Sequence, residues 1–148
     1  MILLTRRDFS IERTISTSRY RKTGAVVSFL GVVRGFSGKR KVAKLQFEAD
    51  RGAAMKRLRE IRLQAIRRFD LQDVVIIHRI GALNVSENIV LISVAASHRR
   101  EAFAACSFLI EELKRSVPIW KKEYTVGGKE RWVPGKTPGH RLRRTRDR

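Results

Sequence analysis

Two lysines, Lys114 and Lys121, stand seven positions apart in the stretch LKRSVPIWKKE, on either side of a Val-Pro-Ile-Trp insert. Lys121 follows directly on Trp120, so its amine has an apolar wall beside it and a second amine nearby. Desolvation and like-charge repulsion then both disfavour the protonated form. A lysine in that setting can act as acid, base or nucleophile near neutral pH. The plainer reading is that Lys114 closes a helix, where a cation stabilises the negative end of the dipole, and that Lys121 is a solvated charge. Two cations held together favour an anionic ligand.

A second basic group precedes them. His98, Arg99 and Arg100 crowd the start of a helix expected over 99–116, with Ser97 as its expected N-cap. Cations there oppose the positive end of the dipole, at about 0.3–1 kcal/mol each. They are either a solvated turn with Glu101 as counter-charge, or an anion site built from backbone N–H groups and side chains. From Arg99 to Lys114 is about 22 Å of helix, too far for one small ligand to span. If both ends serve one pocket, they belong to different copies of the chain, at a two-fold interface.

Other chemistries find less to work with. GVVRGFSGKR contains Gly-Lys, but Arg40 stands where a P-loop needs Ser or Thr for Mg²⁺, and the glycine spacing is wrong. His78, His98 and His140 are scattered, leaving no ligand cluster for a transition metal. Cys106 falls on the apolar face of its helix and reads as inert packing.

The elements that position these residues follow from periodicity. SIERTISTSRY can form a short helix. GAVVSFLGVVRG (24–35) is a near-continuous apolar run and predicts a strand buried on both faces. VAKLQFE (42–48) alternates, with Ala43, Leu45 and Phe47 on the dry face and Lys44, Gln46 and Glu48 on the wet one. GFSGKRK between them is a turn. Ala54, Leu58, Ile61, Ala65 and Phe69 recur at helical spacing from Gly52 onward. DVVIIHRIGAL and ENIVLISVAAS predict two strands joined by NVSE. The second long helix buries Ala102, Phe103, Cys106, Leu109, Ile110 and Leu113, and Pro118 enforces its end. WKKEYTV, Gly127-Gly128 and ERWV form a closing hairpin. The sum is an α+β domain with two long helices on one side of a mainly antiparallel sheet.

At 148 residues the chain fits one domain with a proper core, and 43% hydrophobic residues exclude disorder throughout. The formal charge of +19 points to anionic partners. Residues 134–148, PGKTPGHRLRRTRDR, hold six Lys/Arg against one Asp and read as a basic, flexible tail after a domain spanning 1–133. One cysteine excludes an internal disulfide and fits a reducing, cytoplasmic setting. The N-terminal apolar run, at four residues, is too short for a signal peptide core.

Taken in order, FLGVVRG, LQFEA…AAMKRLREI, VVIIHRIGALNVSE, VAASHRREAFAAC and LKRSVPIWKKE…ERWV resemble the successive motifs of the large, catalytic subunit of molybdopterin synthase, over roughly residues 24–133. The resemblance implies an α/β hammerhead-type fold and a homodimer, each chain binding one small ubiquitin-like sulfur carrier to make a heterotetramer. The carrier's C-terminal Gly-Gly thiocarboxylate would deliver sulfur to cyclic pyranopterin monophosphate (precursor Z), making the dithiolene of molybdopterin. No cofactor or metal is implied.

The family's pocket residues map onto Arg34, His98, Arg99, Lys114, Lys121, Lys122 and Glu123. Arg34 and the neighbouring subunit's His-Arg pair would hold the substrate phosphate. Lys114 and Lys121 would be the catalytic pair at the thiocarboxylate, and Glu123 would orient Lys121 or meet the carrier tail. Lys136 lies where the family often has a further basic residue. Asp50, in place of the usual aromatic, and Ser86, in place of the usual glycine, depart from the pattern without touching the pocket residues. Two other readings remain open: a nucleic-acid-binding module carried by the basic helix at 55–68 and the tail, and a scaffold that binds the carrier without chemistry.

Overall fold

The computed structural model describes residues 1–134; apart from Pro134, the tail read over 134–148, and Lys136 with it, lies outside the described residues. Among them the chain runs β1 (Ile2–Thr5), α1 (Ile11–Ser16), β2 (Ala25–Val32), β3 (Phe36–Ser37), β4 (Arg40–Ala49), α2 (Arg51–Phe69), β5 (Asp73–Arg79), β6 (Gly81–Asn84), β7 (Asn88–Ala96), α3 (Arg99–Ser116), β8 (Ile119–Thr125) and β9 (Glu130–Val133). No described helix is long and apolar enough to cross a membrane.

The helices start where local chemistry permits. Ser10 caps α1, its Oγ accepting from the N–H of Arg13 at 3.2 Å. Asp50 caps α2, its carboxylate accepting from the N–H of Ala53 at 3.1 Å. That is the work Asp50 does at its departure from the family pattern. Ala54, Leu58, Ile61 and Ala65 form the buried stripe of α2, and Ala102, Ala105, Cys106, Leu109 and Leu113 that of α3.

Both stripes pack on one face of a four-stranded sheet ordered β1-β5-β7-β2, antiparallel except for the β1–β5 pair. Leu58, Ile61, Ile76, Ile92 and Leu109 are fully buried there, each contributing about 1.5–3 kcal/mol of transfer free energy. A second sheet, β3-β4-β8-β9 with β6 added beside β4, carries its own small core of Val33, Val42, Leu45, Phe47 and Leu83.

The mixed α+β reading holds, and the sheet divides in two. DVVIIHRIGAL is not one strand: Gly81, at φ +94°, turns the chain between β5 in the large sheet and β6 in the small one. The strand over 24–35 is not buried on both faces. β2 is an edge strand, half-buried at Ala25, Val27 and Phe29 on the core side and exposed at Ser28, Leu30 and Val32 on the other. Burial on both faces belongs to β5 and β7, the central pair.

A bulge between Val42 and Lys44 puts Val42, not Ala43, on the dry face. On α3, Phe103 is 64% exposed, and Ala105 fills the buried stripe instead. Residue 98 is the N-cap of α3, without a side-chain capping bond, while the Ser97 hydroxyl accepts from Gln72 at 3.0 Å.

Candidate active site

The apolar insert between the two lysines is anchored by Val117, with Pro118, Ile119 and Trp120 half-buried after it. Val117 is 1% exposed and ends α3 in extended backbone, which the following Pro118 requires. Its N–H donates to the carbonyl of Leu113 at 3.2 Å, and the Pro118 carbonyl accepts from the N–H of Asp50 at 3.3 Å. Fixed between the ends of two helices, the chain turns directly into β8. Lys114 therefore closes α3 just before the turn, and Lys121 enters the sheet just after it.

Strand alternation sorts the next three residues. Lys121 pairs with Phe47 and Glu123 with Leu45, both partners being buried, so Lys121 and Glu123 share the inner face of β8. Lys122 falls on the opposite face, where its Nζ sits 2.8 Å from Glu130 and over the rings of Tyr124 and Trp132. The structure thus separates Lys122 from the other site residues. The Glu130 carboxylate raises the proton affinity of its amine.

Lys121 has its proton affinity lowered. Burial is the first cause, followed by repulsion from Arg34; Glu123 acts in the opposite sense, and Lys114 and Arg131 add to the lowering. Lys114, Lys121, Arg34 and Glu123 thus form one electrostatic group. Glu123 is 4% exposed, and its Oε1 lies 3.7 Å from Nε of Arg40.

Arg34 is held by its predecessor. The N–H of Val33 donates to the carbonyl of Glu87 at 3.0 Å, and the carbonyl of Val33 accepts from the N–H of Ser86 at 2.9 Å. Glu87 is anchored in turn by Arg79, a buried guanidinium that reaches it at 3.2 Å and also donates to the carbonyl of Asn88 at 3.1 Å. The β6–β7 turn therefore sets the backbone on which Arg34 projects.

His98 and Arg99 are exposed at the far end of α3, so within one chain they do not join this group. Cys106 is buried, and burial pushes its thiol up to about 11, in keeping with packing. Two residues escaped the reading of the sequence. Arg131 stands opposite Glu123 in the β8–β9 ladder, a register that counting outward from the Gly127-Gly128 turn would have given. Arg40 had no such signal.

Chemically the group is an excess of cations around a desolvated amine. It can bind an anion, and the amine can exchange a proton more readily than a solvated lysine.

Residues 4–116 match the family model described as "MoaE protein". The chain is 47% identical over 128 residues to a molybdopterin synthase catalytic subunit of Pyrococcus abyssi, covering 86% of each chain. It is 40% identical over 136 residues to one of Ralstonia nicotianae, covering 90% of this chain and 77% of that one. The crystal structure of molybdopterin synthase from Staphylococcus aureus superposes with a TM-score of 0.83 at 34% identity, covering 88% of this chain and 95% of that one. The chain belongs to the MoaE family.

Proposed function

We infer that the chain is the catalytic subunit of a molybdopterin synthase, a sulfurtransferase acting on precursor Z. The observation that carries this reading is the Lys121 amine, desolvated beside Phe47 and repelled by Arg34 and Lys114, on a chain whose relatives bear that name. The co-substrate is a small carrier protein ending in a thiocarboxylate. Its sulfur attacks a carbon of the pterin side chain, forming a carbon–sulfur bond as a carbon–oxygen bond at that carbon breaks; over the two rounds one oxygen leaves as water and the other stays on phosphorus as the cyclic phosphate opens. Water then cleaves the acyl–sulfur bond and leaves the carrier with a carboxylate. Two such rounds make the dithiolene.

Lys114 and Lys121 polarise the acyl oxygen and move the protons of the two steps. Arg34 binds the substrate phosphate, together with His98 and Arg99 from a second copy of the chain. Glu123 orients Lys121. Lys122, paired with Glu130, contributes to the site only through the strand it stands on. Residues 1–133 form the catalytic domain, 134–148 a basic tail, and the protein works in the cytoplasm as a homodimer within a heterotetramer.

Incubation with thiocarboxylated carrier and precursor Z, followed by assay of the dithiolene, tests the reading. Lys114→Ala should abolish product while leaving the circular dichroism spectrum unchanged. Near-normal turnover would remove Lys114 from the mechanism.

A further inference from the structure

The β3–β4 hairpin sends two guanidinium groups toward β8. Arg34 precedes β3, and Arg40 opens β4, paired with Ser37 across a tight turn in which Gly38 takes φ +60°. The two arginines are six residues apart; the side chains they address on β8, Lys121 and Glu123, are two apart and share the inner face. Arg34 repels the lysine, and Arg40 pairs with the carboxylate.

Glu123 is the better buried partner, with its side chain 5% exposed against 47% for Arg40. A carboxylate so enclosed needs a cation; Arg40 stands in contact with it, and Lys121, two residues back on the same face, feels its charge. The charges acting on Lys121 are Arg34, Glu123, Lys114 and Arg131. Arg40 meets this group at the Glu123 carboxylate, 3.7 Å from its Nε.

We propose that Arg40 is a positioning residue of this site, dividing the Glu123 carboxylate between itself and Lys121. With Arg40 in place, the guanidinium draws the carboxylate toward itself and away from the amine, and Lys121 is left more readily deprotonated. Without it, the carboxylate is free to close on the ammonium and the amine holds its proton harder. The consequence for turnover rests on the sulfur-transfer reading above; the Arg40–Glu123 contact and the shared face of Lys121 and Glu123 do not.

The experiment titrates Lys121 in the full-length protein by NMR of ¹³Cε-labelled lysine, assigned with Lys121→Arg. Arg40→Gln should move the Lys121 midpoint upward, and Arg40→Lys, which keeps the charge, should restore it. In a Glu123→Gln background, Arg40→Gln should move nothing. An unmoved midpoint in Arg40→Gln overturns the proposal, as does an equal shift in the Glu123→Gln background.

In the sulfur-transfer assay Arg40→Gln should lower kcat roughly two- to fivefold near neutral pH, recovering as pH rises, with KM for precursor Z unchanged. If the NMR midpoint moves as stated while the pH profile of turnover does not, Arg40 keeps its positioning role. In that case the assignment of proton transfer to Lys121 fails instead.

Discussion

Lys121 stands directly across the β4–β8 ladder from Phe47, a buried ring that itself meets His78 edge-on at 5.4 Å. A lysine in that position exchanges water for aromatic and aliphatic surface, which is why burial leads the causes of its lowered proton affinity.

Stability and activity should therefore part company at this residue. Lys121→Met keeps the aliphatic stem and removes a cation that Arg34, Lys114 and Arg131 repel. It should raise stability by on the order of 1 kcal/mol while abolishing dithiolene formation. Because the folded-state affinity lies below the unfolded one, the unfolded chain binds more protons between the two, and the ammonium's penalty belongs to the acid side of that window. The gain should thus be present at pH 7 and shrink as pH rises toward 10.5, the ordinary lysine value. Urea unfolding at several pH values measures it; a loss of stability at pH 7 would show that Glu123 depends on Lys121 more than on Arg40.

The separation of His98 and Arg99 from Lys114 along α3 gives a complementation test. Arg99→Ala and Lys114→Ala chains should each be inactive alone. Co-expressed, they form mixed dimers in which one of the two sites has both wild-type residues, so about a quarter of wild-type activity should return. No recovery would mean that each chain completes its own site.

Much of this was legible in the residues. The stripe of α2, that of α3 apart from Phe103, the closing hairpin and the turn at Pro118 follow from periodicity and from what proline forbids. The lowered proton affinity of Lys121 was legible and the repulsion from Lys114 with it, but not the surface that desolvates the amine: alternation puts Trp120 on the other face of β8, and Lys121 stands beside Phe47 instead. What failed to show depends on long-range pairing. The apolar run 24–35 looks like a central strand, but sheet order puts it at an edge. The break at Gly81 needs a backbone angle that glycine permits and does not demand. The Val42–Lys44 bulge, which displaces Ala43, leaves no trace in the alternation, and the pairing of Arg40 with Glu123 has no periodic signature either.

His78 should mark the acid limb of stability. It is buried, its Nδ1 lies 2.7 Å from the carbonyl of Arg79, and burial lowers its proton affinity from 6.5 to about 4. Between those values the unfolded chain takes up a proton that the folded one refuses. The contribution is complete above pH 6.5 and is lost as pH falls toward 4, about 3 kcal/mol in all. Denaturant titrations of His78→Gln should show a flatter pH dependence over that window than wild type. Parallel curves would place the titration elsewhere.

Ser86 is the sharpest test of how Arg34 is placed. It adopts φ +72°, a left-handed backbone that costs a non-glycine residue about 1–2 kcal/mol. Its N–H holds the carbonyl of Val33, the residue before Arg34. Ser86→Gly relieves that cost but loosens the unfolded chain, so a net gain of about 0.5 kcal/mol with unchanged turnover is expected. Ser86→Val adds β-branching to the same backbone and should cost about 1–2 kcal/mol. If the turn positions Arg34, Ser86→Val should also raise KM for precursor Z severalfold with kcat little altered. Ser10→Ala is the control: loss of the α1 cap costs about 1 kcal/mol at an element that holds none of the site residues. A KM raised equally by both variants would reflect lost stability rather than a displaced guanidinium, whereas a rise confined to Ser86→Val ties substrate affinity to the Val33 hydrogen bond.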